Sequence, residues 1–307
     1  MSFSLGLRGK VAETLFYSAF AILLRGFMQR IVIVSAVGTS LLRNFVVSSR
    51  FRDVIEKFGM HDWDRASVDD PRNAYPDGQI CKAFRDEELF EKLKLFALEN
   101  PVRALAEVNG VEAVLTEFPL PRGAIDIILF TTQTCNSMLC AYIAKEVLKS
   151  MGYNTIEIVE VKALRNTDEF DEGLLELLDK VVERIESYMM RGYRVVISAT
   201  PGFKAETAFL TVVAMLLGAP SIYIHESFKA PVTLPALPIK VDIENLSDVL
   251  KLFKESECVD KGVAVNALGE RLEHYLFIQI LKEKPGGEVC LRTWLSKLLK
   301  ISQNKHK

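Results

Sequence analysis

The chain has 307 residues, 49% of them apolar, with 38 basic and 40 acidic side chains and a formal charge of −2. Such a length and apolar share fill one large core plus a small appendage. The near-balance of charge argues against a broad grip on duplex nucleic acid, which leaves a strongly basic footprint.

In chain order, residues 1–28 come first and hold a short apolar run, Leu15–Leu24, read LFYSAFAILL. It falls short of the roughly 20 apolar residues that span a bilayer and lacks the small-x-small pattern of a cleaved signal. It reads as a helical N-terminal extension with no membrane role. From Ile31 onward, short β-branched runs alternate with amphipathic stretches. The runs Ile31–Ser35, Ile125–Phe130, Thr155–Val161, Arg194–Ser198 and Ser221–His225 predict strands. Apolar residues at helical spacing predict helices over Leu41–Phe58, Glu87–Glu117, Asn136–Met151, Asp168–Arg191 and Ala205–Leu217.

This alternation predicts an α/β fold over residues 29–243, a Rossmann-like and mostly parallel sheet with helices on both faces. The segment His61–Gln79, HDWDRASVDDPRNAYPDGQ, is polar and rich in Asp, Pro and Asn, and reads as an exposed inserted loop. Pro231–Asp242 carries prolines that confine it to a sheet edge. Residues 244–307 predict a small helical region, with helices over Leu246–Phe253, Val265–Leu281 and Val289–Leu299. The five cysteines, Cys81, Cys135, Cys140, Cys258 and Cys290, form no C-x-x-C pair and are odd in number. They predict neither a zinc ribbon nor a disulfide framework, and a reducing, cytoplasmic compartment.

Three strand-end loops carry the chemistry. Val37-Gly38-Thr39-Ser40 opens a helix, so its glycine, hydroxyls and backbone N–H groups suit phosphate oxygens, although Ser or Thr there is also the usual N-cap. Thr200-Pro201-Gly202-Phe203-Lys204 feeds a second helix and adds an ammonium that can sit on a phosphate. Thr131 to Ser137, TTQTCNS, adds small polar groups. If β-runs 31 and 194 share one sheet, the loops line one anion-binding floor at the carboxyl ends of the strands.

Neither G-x-x-x-x-G-K-[ST] nor G-x-G-x-x-G is present, which removes the main support for ATP hydrolysis and dinucleotide redox chemistry. Glu160-x-Lys162 lies on an alternating strand pattern and reads as simple face alternation. Ser40 lacks the G-x-S-x-G elbow of an acyl nucleophile. The four histidines, His61, His225, His274 and His306, are scattered, and the loops hold no converging carboxylates, so neither a metal nor a cofactor is expected.

Two motifs, VSAVGTSLLRN near Ser35 and SATPGFKAET followed by GAPSIYIHE, resemble the CRISPR-associated Rossmann-fold (CARF) proteins over about Gln29 to Asp242. Within that family they are most similar to stand-alone ring nucleases. The resemblance implies a homodimer holding cyclic tetra-adenylate across its two-fold axis. It also implies metal-independent cleavage to linear di-adenylate with a 2′,3′-cyclic phosphate, switching off type III CRISPR signalling. Lys204 and Ser40 would be the catalytic pair. Gly38, Thr39, Asn44, Thr132, Gln133, Thr134, Gly202, Phe203, Glu206 and Thr207 would line the ligand.

The larger family effectors carry a HEPN ribonuclease domain with a longer Arg-to-His spacing than that between Arg271 and His274, so no such activity is expected here. The rival expectation is a ligand-sensing regulator without nuclease activity. Its C-terminal part, of winged-helix or dimerisation type, would bind DNA or a protein through Arg271, Lys282, Lys284, Arg292, Lys297 and Lys300.

Overall fold

The computed structural model describes residues 30–162, 167–202, 204–224, 230–237, 239, 242, 244–292 and 295. The expected extension over 1–28, Phe203, His225, His306, Lys297 and Lys300 lie outside them. Strand β1 (Ile31–Ala36) is buried along its whole length, as a continuous β-branched run must be when both sheet faces are covered. On one side it pairs in parallel with β2 (Ile125–Thr132), and β2 with β3 (Thr155–Val161). On the other it pairs with β4 (Arg194–Ser198), which is followed by β5 (Ser221–Ile224) and the antiparallel edge strand β6 (Pro231–Leu234). The order β3-β2-β1-β4-β5-β6 reverses direction at β1 and β4.

The helices divide between the faces. Packed on one are α1 (Ser40–Ser48), α2 (Arg52–Phe58), α3 (Gln79–Phe84), α4 (Glu87–Glu99), α5 (Pro101–Ala104), α6 (Ala106–Glu117) and α7 (Cys135–Ser150). The other is covered by α8 (Thr167–Met190) and α9 (Lys204–Leu217). This is the expected Rossmann-like α/β architecture, with differences inside the predicted helices. The stretch 41–58 breaks where Ser49 adopts φ 53 and ends α1. The stretch 87–117 breaks at Pro101, which has no N–H to continue a helix, and Asn100 caps α5 by accepting the Arg103 N–H.

Segment 61–79 is exposed over much of its length, as its composition predicted, but is anchored at a few buried positions. It carries 3-10 turns at Met60–Arg65 and Pro71–Asn73 and buries Trp63 and Asn73.

The cysteine expectation is also overturned. Cys81 is joined to Cys135 and Cys258 to Cys290, leaving Cys140 unbridged and buried. The partners stand 54 and 32 residues apart in sequence, so no local spacing marks them. The inference of a reducing compartment loses its basis with them. Among the described residues no helix is long and apolar enough to cross a membrane.

The C-terminal part is only half helical, a further correction. Its order is α10 (Ser247–Leu252), β7 (Cys258–Asp260), α11 (Lys261–Leu268), α12 (Arg271–Phe277), β8 (Leu281–Lys284) and β9 (Glu288–Leu291). The expected helix 265–281 breaks at Gly269, and the expected helix 289–299 begins as β9. Gly286 and Gly287, at φ 108 and 82, turn β8 back onto β9, a conformation that glycine adopts without strain. Val249, Ala264, Leu272, Tyr275, Leu281 and Val289 form a core of their own.

Replacing Cys81 and Cys135 together by serine is expected to cost about 2–4 kcal/mol through the freed unfolded chain. Thermal unfolding without reductant reads this as a lower Tm; an unchanged Tm would show that the bridge adds no stability.

Candidate functional site

Strands β1 and β4 lie side by side, with Ser35 opposite Ser198, yet the helices that follow them leave toward opposite faces. Such a reversal opens a crevice beyond the carboxyl ends of the strands, where doubly wound sheets take their ligands. Here the two loops close on each other. A Cβ added at Gly38 would stand 3.2 Å from the Gly202 nitrogen, and one at Gly202 only 2.5 Å from the Ala36 Cβ. Gly202 also has φ 99, in the left-handed region. Gly202 is therefore demanded by contact and by its backbone, Gly38 is tightly approached, and the two loops meet, although Ser40 and Lys204 of the expected floor do not line the pocket between them.

A pocket of about 380 Å3 opens over this contact. Of the predicted ligand residues, Gly38, Thr39, Thr132, Thr134, Gly202 and Glu206 line it. Thr39 stands at the N-cap of α1 but makes no side-chain cap; its hydroxyl donates to the Asp64 carbonyl at 2.8 Å. The Leu42 and Arg43 N–H groups of the first turn donate to the Thr39 carbonyl at 3.1 and 3.4 Å.

Other predicted residues serve the frame. Ser40 Oγ accepts the Ala106 N–H at 3.2 Å and so caps α6. Asn44 Nδ2 donates to the Arg103 and Ala104 carbonyls at 3.0 and 3.2 Å. Gln133 turns toward Glu160 on β3, at 3.3 Å, and Thr207 Oγ1 donates to the Pro201 carbonyl at 3.0 Å. Lys204 is the exposed first residue of α9.

The far wall comes from the inserted segment, through Asp64, Arg65, Ala66, Ser67, Val68 and Asn73. Two buried asparagines fasten it. Asn136 Nδ2 donates to the Trp63 and Ala66 carbonyls at 2.9 and 3.2 Å. Asn73 Nδ2 donates to the Ala66 and Ser67 carbonyls at 3.0 and 3.1 Å, while its Oδ1 accepts the Asn136 N–H at 2.9 Å. That last bond occupies the N-terminus of α7, so this helix end serves the wall. The Cys81–Cys135 bridge adds a covalent tie at the same place.

The electrostatics differ from expectation. Carboxylates Asp64 and Glu206 both line the pocket, with Arg65 the cation of the wall. Beneath the loops lies Glu107 of α6, fully buried. Its Oε1 accepts the Gly38 N–H at 2.7 Å, and its Oε2 has no hydrogen-bond partner. Burial drives this carboxyl up to about 7, against the pull of the Gly38 N–H. Among the described residues, the grouping with metal-ligand closeness is Cys258, Glu288 and Cys290, whose sulfurs are joined.

Gly202→Ala is expected to destabilise the chain by about 1–3 kcal/mol through clash and strain. Adding Ala36→Gly should recover the clash component; denaturant unfolding of the double cycle checks it. A second expectation concerns pH. Glu107 titrates at about 7 in the folded chain against an ordinary 4.5, so the folded state binds more protons across that window and stability falls as pH rises through it. Tm should drop between those values in the parent chain, and Glu107→Gln should flatten the slope. An equal slope in the variant would assign the titration elsewhere.

Residues 102–237, from α5 to just beyond β6, match a family model described as CRISPR-associated protein (Cas_APE2256). The matched stretch carries Glu107, the loop after β2 and the Gly202 loop, and it supports a CRISPR-associated protein as the reading of this chain.

Proposed function

We propose that this protein is a metal-independent ring nuclease that opens cyclic tetra-adenylate and so ends type III CRISPR signalling. The observation that carries the reading is the contact between Gly38 and Gly202, which brings the two loops of the family resemblance to one pocket floor. The CRISPR-associated match over residues 102–237 agrees with it. A pocket of about 380 Å3 is at the small end for ligand sites and takes part of a four-nucleotide ring. Two copies related by a two-fold axis would share the ring between equivalent pockets.

In the proposed reaction a ribose 2′-oxygen attacks its neighbouring phosphorus while the bond from phosphorus to the 5′-oxygen breaks. The 2′ proton departs, the 5′-oxygen gains one, and a 2′,3′-cyclic phosphate remains. The nucleophile belongs to the substrate, so the protein's part is alignment and charge stabilisation. Lys204, exposed at the start of α9, swings its ammonium over the phosphorane oxygens. Ser40 uses its oxygen to cap α6 and retains its hydroxyl proton for a phosphate or 2′-oxygen.

A second reading, a ligand-sensing regulator, is favoured by one observation. The C-terminal order helix, strand, helix, helix, strand, strand, with sheet order β7-β9-β8, is that of a winged helix. Its charge pattern speaks less for DNA: Arg271 is paired with Asp248 at 2.8 Å, and Glu273 shares α12 with it.

Incubation with cyclic tetra-adenylate in EDTA should yield the di-adenylate 2′,3′-cyclic phosphate; an intact ring under conditions of demonstrated binding overturns the nuclease. Lys204→Ala should lower turnover roughly 10²-fold or more with little change in binding. Ser40→Ala should lower turnover and also cost about 1 kcal/mol of stability through the lost cap. A DNA gel shift that responds to the ring would favour the regulator.

A further inference from the structure

Glu107 is the least expected group in the molecule: a fully buried carboxyl with one bonded and one unbonded oxygen. It is bonded to the pocket through the Gly38 nitrogen, which lies where the two loops meet. We infer that Glu107 is a positioning residue of the anion site and that seating an anion over Gly38 draws a proton onto its carboxyl. The inference rests on the reading of the floor as an anion site and extends it to the linkage between ligand and proton.

The geometry supplies two reasons with the same sign. A carboxylate makes a stronger hydrogen bond to an amide than a carboxylic acid does, so the ionised form holds the Gly38 N–H inward and withholds it from the pocket. The protonated form grips less and leaves that donor available at the floor. In addition, an anion over Gly38 and the uncapped start of α1 stands close behind the carboxylate, in surroundings that screen poorly. Like charges at such range favour the neutral acid. The unbonded Oε2 has the same preference, since a buried charge with half its bonds unmade is costly.

The ordinary range of this carboxyl is already raised to about 7, so the exchange falls at neutral pH. The other groups around it are few. Cys140 faces it from α7, its thiol pushed up by burial and by Glu107 itself. Asp64, Glu206 and the Arg65 guanidinium stand on the pocket side. Strand β1 brings no titratable side chain, β4 carries Arg194 at its opposite end against Phe118, and β5 carries Tyr223. Arg103 lies on α5. His61 begins the wall segment and faces Glu56 at 3.4 Å.

By linkage, whatever the anion does to the proton, the proton does to the anion. Binding therefore weakens as pH rises past the titration of Glu107, approaching about tenfold in Kd per pH unit for a fully coupled proton. Titration calorimetry of the full chain tests this with two probes, cyclic tetra-adenylate and sulfate, which exchanges no proton near neutrality. Buffers of different ionisation enthalpy count the protons taken up.

The expected result is a Kd that rises with pH, proton uptake on binding, and a Glu107→Gln variant whose binding is tight, flat in pH and free of uptake. His61→Gln should keep the parental slope. A flat Kd in the parent, or an unchanged slope in Glu107→Gln, overturns the coupling even where the ring binds and is cleaved. Coupled sulfate binding without ring binding would instead uphold the coupling and remove the proposed substrate. If neither probe binds, both fall.

Discussion

Everything at the sheet mouth depends on two loops approaching so closely that Gly202 has no room for a side chain and Gly38 has little. Gly38 and Gly202 leave adjacent parallel strands whose helices diverge to opposite faces, and the Gly202 turn rests on the Ala36 methyl. A Cβ on Gly202 forces the loops to shift, and one on Gly38 presses on the Gly202 nitrogen. The diverging helices determine where a crevice forms; the glycines let the two loop backbones meet at its base. The wall, the threonine hydroxyls and the buried carboxyl are all arranged around that contact.

The buried carboxyl shows what the contact costs. Gly38 must present its N–H inward, and a buried donor without an acceptor is penalised. Glu107 supplies the acceptor from the first turn of α6, a helix whose own start is capped by Ser40 from the opposing loop. Loop and helix thus satisfy each other's exposed donors. The remaining oxygen of Glu107 is unmatched, and its burial raises the carboxyl toward neutrality.

Much of this was legible in the sequence, and for physical reasons. Ile31–Ala36 and Ile125–Thr132 are β-branched runs too continuous for a one-sided strand, and glycines directly after a strand mark backbone approach. The parallel order and the meeting of two loops follow from those signals. Glu107 was illegible because AEVNGVEAVL places it at a position that helical spacing cannot tell from a solvated one. Only the tertiary path of α6 beneath β1 buries it.

The wall was read only in part, because Asn, Asp and Pro signal turns, and a turn pinned by Asn73 and Asn136 has the same composition as a free one. Strands β8 and β9 were missed since LKEK and EVCL are too short to show a period of two; the glycines between them held the usable clue.

The Cys81–Cys135 bridge has a consequence for covalent topology. It closes the chain from α3 to the start of α7 into a ring of polypeptide that contains α6 and β2. Glu107, Thr132 and Thr134 lie within that ring, while the wall residues Asp64 to Asn73 and the Gly38 loop precede it. The second loop and α9 lie outside that ring. An opening that admits or releases a ligand without breaking a covalent bond therefore moves the Gly202 loop, the Gly38 loop or the wall against the segment that carries Glu107 and Thr132.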